Sequence, residues 1–101
     1  MATSSLTEPR PLPTAYPVPL RLDRRDAPHS YTLRNIGDEP LRGISFNLLG
    51  PGLMRATPPV LLEPGERLRL RIRGAGLSVG TVLVVRWFRP GGDEYFWRIS
   101  F

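Results

Sequence analysis

Glu66-Arg67-Leu68-Arg69-Leu70-Arg71-Ile72-Arg73-Gly74 alternates arginine with a branched aliphatic residue at every step. Successive side chains of an extended strand leave opposite faces. Leu68, Leu70 and Ile72 therefore line one side, and Arg67, Arg69, Arg71 and Arg73 line the other. A helix would scatter the same residues around its circumference and leave no apolar stripe. The segment predicts a sheet with one dry face and one strongly cationic wet face.

Outward from this segment the same period recurs. Upstream, Val60-Leu61-Leu62 is a short apolar run closed by the turn residues Glu63-Pro64-Gly65-Glu66. Leu41 to Leu49 reads as a strand with Ile44, Phe46 and Leu48 inward, broken by Gly50-Pro51-Gly52. Ser30 to Asn35 reads as another, with Tyr31 and Leu33 inward, followed by the turn Asn35-Ile36-Gly37-Asp38-Glu39-Pro40. Val18, Leu20 and Leu22 alternate with Pro19, Arg21 and Asp23, and the prolines assign this strand to a sheet edge. Downstream, Thr81 to Phe88 and Tyr95 to Phe101 flank a hairpin loop at Arg89-Pro90-Gly91-Gly92-Asp93. No window carries a 3.6-residue period. Seven short strands without helix predict an all-β, immunoglobulin-like antiparallel β-sandwich.

Residues 31–48 and the turn Leu62-Glu63-Pro64-Gly65-Glu66 also resemble bacterial immunoglobulin-like modules of the CARDB kind. The likeness spans residues 30–73. It lies in a strand, an Asn-x-Gly turn and a second strand, then a Leu-x-Pro-Gly-Glu turn before the fifth strand. It implies an immunoglobulin-like fold and an adhesive or interaction role. CARDB modules sit in secreted multidomain chains with acidic tails, whereas this sequence starts without a secretion signal and ends on an aromatic strand.

At 101 residues the chain is expected to form one domain. Residues 1–15, rich in Ser, Thr and Pro, read as a flexible arm, and residues 16–101 as the sandwich. The arm contains no Pro-x-x-Pro, because Tyr16 stands where the second proline would fall. There is no cysteine, which excludes disulfides and thiolate metal sites. With no signal-like start and no membrane-length apolar run, the expected location is the cytoplasm, or a virion if the gene is a phage's. All fourteen basic residues are arginine, which fits a GC-rich genome such as that of a high-GC bacterium or its phage. Residues 16–101 hold thirteen arginines against eight acids, so they carry the whole net charge of +5.

The residues speak against catalysis and for no cofactor. His29 is the only histidine, no Gly-x-Ser-x-Gly elbow exists, and without lysine there is no Walker-type phosphate loop. Gly74 to Gly80 carries glycines after a strand, but a dinucleotide turn must open a helix. Here it leads into Thr81-Val82-Leu83-Val84-Val85, which favours a strand. Asp38-Glu39 and Asp93-Glu94 fall in turns, where solvated carboxylates are ordinary.

Two binding surfaces remain. Either phase of residues 81–88 buries acceptable side chains. If Leu83, Val85 and Trp87 turn inward there, and Trp97, Ile99 and Phe101 on the next strand, then Val82, Val84, Phe88, Phe96 and Arg98 face out. Such a surface suits another protein or a second copy of the chain, with Phe88 and Phe96 as anchors. The alternative is an anion or nucleic-acid face of Arg67, Arg69, Arg71 and Arg73, joined by Arg34 from the neighbouring strand. A carbohydrate site using the tryptophans lacks a secretion route. No membrane partner is expected.

Overall fold

The arginine-studded segment is extended, but it serves two sheets. A computed structural model of the chain describes residues 16–55, 57–74, 77 and 79–101. The arm expected at residues 1–15 lies outside the described residues. Nine strands occur among them: β1 Leu20–Asp23, β2 Tyr31–Asn35, β3 Leu41–Leu49, β4 Leu53–Met54, β5 Val60–Leu62, β6 Arg67–Leu70, β7 Ile72–Arg73, β8 Val82–Phe88 and β9 Glu94–Ser100. No helix occurs there, and so none is long and apolar enough to cross a membrane.

The architecture is an all-β antiparallel sandwich. One sheet has the order β1-β2-β6 and the other β5-β3-β8-β9, with β4 and β7 forming a short separate ribbon. An immunoglobulin constant domain sets four strands against three. Here β5 lies beside β3 instead of joining β1, β2 and β6, so the split is three against four. The two extra strands over the expected seven are β4 and β7. The ladder of β6 with β2 stops at Leu70, and Ile72 and Arg73 pair instead with Met54 and Leu53.

The inward sides of the two sheets share one core. Leu20, Tyr31, Leu33 and Leu70 come from the three-stranded sheet, and Leu41, Ile44, Leu62, Leu83, Val85, Trp87 and Ile99 from the four-stranded one. Ile72 and Leu77 close one end. Of the two phases open to residues 81–88, the strand takes the one that buries Leu83, Val85 and Trp87.

Departures from the simple pattern have local causes. Val18 is exposed while Pro19 is buried, because the first strand begins only at Leu20. Ser30, read as outward, is buried at the start of β2. Leu41 and Ile44 both point inward although three residues apart. The β3 register shifts between them, and Gly43 sits there at φ 58°, a left-handed conformation that glycine adopts without strain.

One end of the sandwich is tied by polar and aromatic contacts. Asn35 is fully buried; its Nδ2 donates to the carbonyls of Glu39 at 2.8 Å and Leu62 at 3.0 Å, and its Oδ1 accepts from Gly37 N at 2.9 Å. Its backbone NH donates to Glu66 O and its carbonyl accepts from Gly65 N. One side chain thereby joins the β2–β3 turn to β5, and its backbone holds the β5–β6 turn. Nearby, Trp87 Nε1 donates to Tyr16 Oη at 3.3 Å, and the Tyr16 and Tyr95 rings lie 4.7 Å apart.

Candidate binding faces

The register of the four-stranded sheet builds its outer face in rows. Leu49, Val82 and Ser100 form one row, and Asn47, Val84 and Arg98 the next. Ser45, Arg86 and Phe96 follow, then Arg42, Phe88 and Glu94. Leu61, alternating with the inward Leu62 on β5, is 51% exposed. Phe96 is 59% exposed, the largest ring presented to solvent. The five residues expected on this face are thus together on two neighbouring strands, with Leu49 and Leu61 added from β3 and β5. Those two were missed because this surface was read from the last two strands alone, and only the pairing register brings β3 and β5 onto it.

Phe88 is not a free anchor. It is half-buried, and a Cβ placed on Gly43 would come within 3.2 Å of its ring. The bulge glycine leaves space that Phe88 occupies, so this ring belongs to the sheet. Val82 and Val84 are half-buried in the centre of the face. Arg86 crosses the surface, pairing with Glu94 at 3.0 Å while its guanidinium lies 5.6 Å from the Phe96 ring centre. That arrangement leaves one ring face and edge outward beside an arginine. Of the tryptophans, Trp87 is buried and Trp97 half-buried, so neither forms an open stacking platform.

The outer face of the three-stranded sheet is different in kind. Arg21 is opposite Arg34, and Arg34 is opposite Arg67, so three arginines stand in one row across three strands. The next row is Asp23, Thr32 and Arg69. All four arginines are exposed. Arg21 was missed by sequence reading, because only the pairing register brings it beside Arg34. Arg71 and Arg73 part from this surface; they line a shallow cleft with Leu53, Met54 and Arg55. The row along one strand is therefore replaced by a patch across three.

Among the described residues, no ion pair engages Arg21, Arg34, Arg67 or Arg69. Asp26 of the β1–β2 turn borders the hollow that Thr32, Arg67 and Arg69 line. Asp23 is taken by Arg25, with contacts of 2.6 to 3.1 Å. That guanidinium holds the Asp23 carboxyl down to about 2. Neighbouring strands lie about 4.8 Å apart, a separation at which two unit charges repel by roughly 0.8 kcal/mol in water before salt screening. Like charges directly opposite one another on a sheet are destabilising, so this row carries unrelieved repulsion.

The turn acids are not simply solvated. Glu39 receives both Arg89 Nε at 3.0 Å and Nη2 at 3.1 Å, which lowers its carboxyl below the ordinary range. The same guanidinium lies 4.0 Å from the Tyr16 ring centre. His29 is exposed, and its backbone NH donates to Asp26 O in the β1–β2 turn. Among the described residues, no three His, Asp or Glu side chains gather to hold a metal ion. Gly74 to Gly80, only part of which is described, brings Leu77 into the core end.

No protein-family model matches the chain, and no curated protein or solved structure was found to be similar to it. Nothing in these comparisons identifies a CARDB module.

Proposed function

We propose that this chain is a non-catalytic protein-interaction module whose docking surface is the outer face of the four-stranded sheet. The observation that carries the reading is Phe96, 59% exposed on the edge strand β9 whose other side is packed. The half-buried valines of β8 lie on the neighbouring strand, and exposed Leu49 and Leu61 further across the same face on β3 and β5. Interface cores favour aromatic residues and arginine over lysine and acids. A ring flanked by Arg86 and Arg98, around a centre of Val82 and Val84, has that composition.

The charges favour a different protein over a second copy. Arg42, Arg86 and Arg98 outnumber Glu94 on this face. Two copies pressed face to face would set like charges against each other, and such juxtaposition costs affinity. A partner with an apolar centre and an acidic rim meets both features. Its expected location is the cytoplasm, or a virion.

The test is capture from the source cells with a tagged chain, comparing the wild type with Leu61→Ser combined with Phe96→Ser. Both positions are exposed, so the core stays intact. The reading predicts a stoichiometric protein partner whose recovery falls at least about tenfold in the double variant, the loss of two interface anchors. An unchanged partner set in the variant, or a wild type that captures nothing and sediments as a monomer, would contradict it.

A further inference from the structure

We infer that the outer face of the three-stranded sheet is a second, independent site that binds the phosphate backbone of duplex nucleic acid, through Arg21, Arg34, Arg67 and Arg69. The register places these four guanidiniums in a patch one row of three plus one. Three strands at about 4.8 Å spacing carry the row over about 10 Å, and the second row lies about 7 Å further along the strands. One nucleic-acid strand advances about 3.4 Å per base pair. A row laid along the duplex axis thus covers about three base pairs.

The composition of the face selects the ligand class. Its strands present Arg21, Asp23, Thr32, Arg34, Arg67 and Arg69, bordered by Arg25 and Asp26 of the β1–β2 turn, with no aliphatic or aromatic residue among them. A protein partner needs an apolar centre to exclude water, and none is offered here. Single-stranded nucleic acid is held by aromatic side chains on which bases stack, and the face has none. What it does offer is guanidinium forks, which match phosphate oxygens in pairs, and one hydroxyl. Asp23 does not oppose the ligand as a free charge, because Arg25 already neutralises it. Phosphates would relieve the repulsion along Arg21, Arg34 and Arg67 and release counterions. Contacts to phosphate alone position a protein without reading sequence, so the site is indifferent to base sequence.

Fluorescence anisotropy with a labelled random-sequence duplex tests the site. Three or four phosphate contacts predict that log affinity falls against log salt with a slope of about −2.7 to −3.6, a roughly 40- to 150-fold loss between about 50 and about 200 mM. Replacing Arg21, Arg34 and Arg67 together by Ser should reduce that slope by nearly 3, whereas Arg71→Ser with Arg73→Ser should change it by less than about 1. Arg34→Ser alone should reduce it by about 1, and serves if the triple variant loses its sheet spectrum in circular dichroism. Duplex binding tighter than that of a single strand or of a polyglutamate peptide of equal charge supports the proposal. Three results would overturn it: no duplex binding at low salt, an unchanged slope in the folded variants, or equal or tighter binding of the polyglutamate or the single strand.

Discussion

Asn35 carries more of this fold than its place in an Asn-x-Gly turn suggests. Its amide and backbone hold three separate segments, and its side chain is fully buried. Removing a buried hydrogen-bonding group costs the desolvation of each partner left unpaired. Asn35→Ala should lower stability by about 2 to 4 kcal/mol in urea unfolding, and a loss below about 1 kcal/mol would show that the turns hold without it. Two surface carboxyls set the acid limit. Asp23 and Glu39 both titrate lower in the folded chain than in the unfolded one, through Arg25 and Arg89. Their contribution is complete above the ordinary carboxyl range and is lost as pH falls through it toward about 2, the Asp23 value. The urea midpoint should therefore be level from neutrality to about pH 5 and drop between about pH 4 and about pH 2. Asp23→Asn should flatten part of that drop; a midpoint that stays constant across the same interval would contradict the pairing.

Among the strands, period-two patterning was enough to place β2, β3, β6, β8 and β9 and the inward set Leu33, Ile44, Leu70 and Ile99. It failed where a single residue changes the phase. Gly43 shifts β3 by one, and the ladder of the arginine segment is interrupted at Arg71, which sends Ile72 and Arg73 to a different partner. The second event leaves no periodic trace, because arginine and aliphatic residues keep alternating from Arg67 to Arg73, and the first shows only in the three-residue spacing of Leu41 and Ile44. The surfaces were legible in part. Phe96 follows from alternation within its own strand and Val84 from one of the two phases open to its strand, but the Arg21, Arg34 and Arg67 row follows from pairing between strands. The end of β3 offers a direct check. Gly50 stands at φ 98°, and a methyl group there would run into the Gly80 carbonyl. Gly50→Ala combines a left-handed strain with a backbone clash, so it should cost about 3 kcal/mol or more. A thermal midpoint within a few degrees of wild type would mean that this approach of the two loops is not required.

At the scale of the molecule, the sandwich separates two chemistries by its thickness. One sheet turns out an apolar and aromatic centre with arginines around it, and the other turns out guanidiniums with no apolar residue. The core between them is shared, so substitutions outside should act on binding without acting on folding. Under the two proposals, a protein would sit on one side and a nucleic-acid backbone on the other, with neither ligand reaching the other's contacts. Side-chain oxidation footprinting in source-cell extract, compared with buffer, bears most directly on the central claim that the four-stranded face is a docking surface. Phe96 and Leu61 should be several-fold protected in extract, while the Tyr31 and Trp87 rings, buried in both conditions, stay unreactive throughout. Phe96 oxidised equally in extract and buffer, with any protection falling elsewhere, would contradict it.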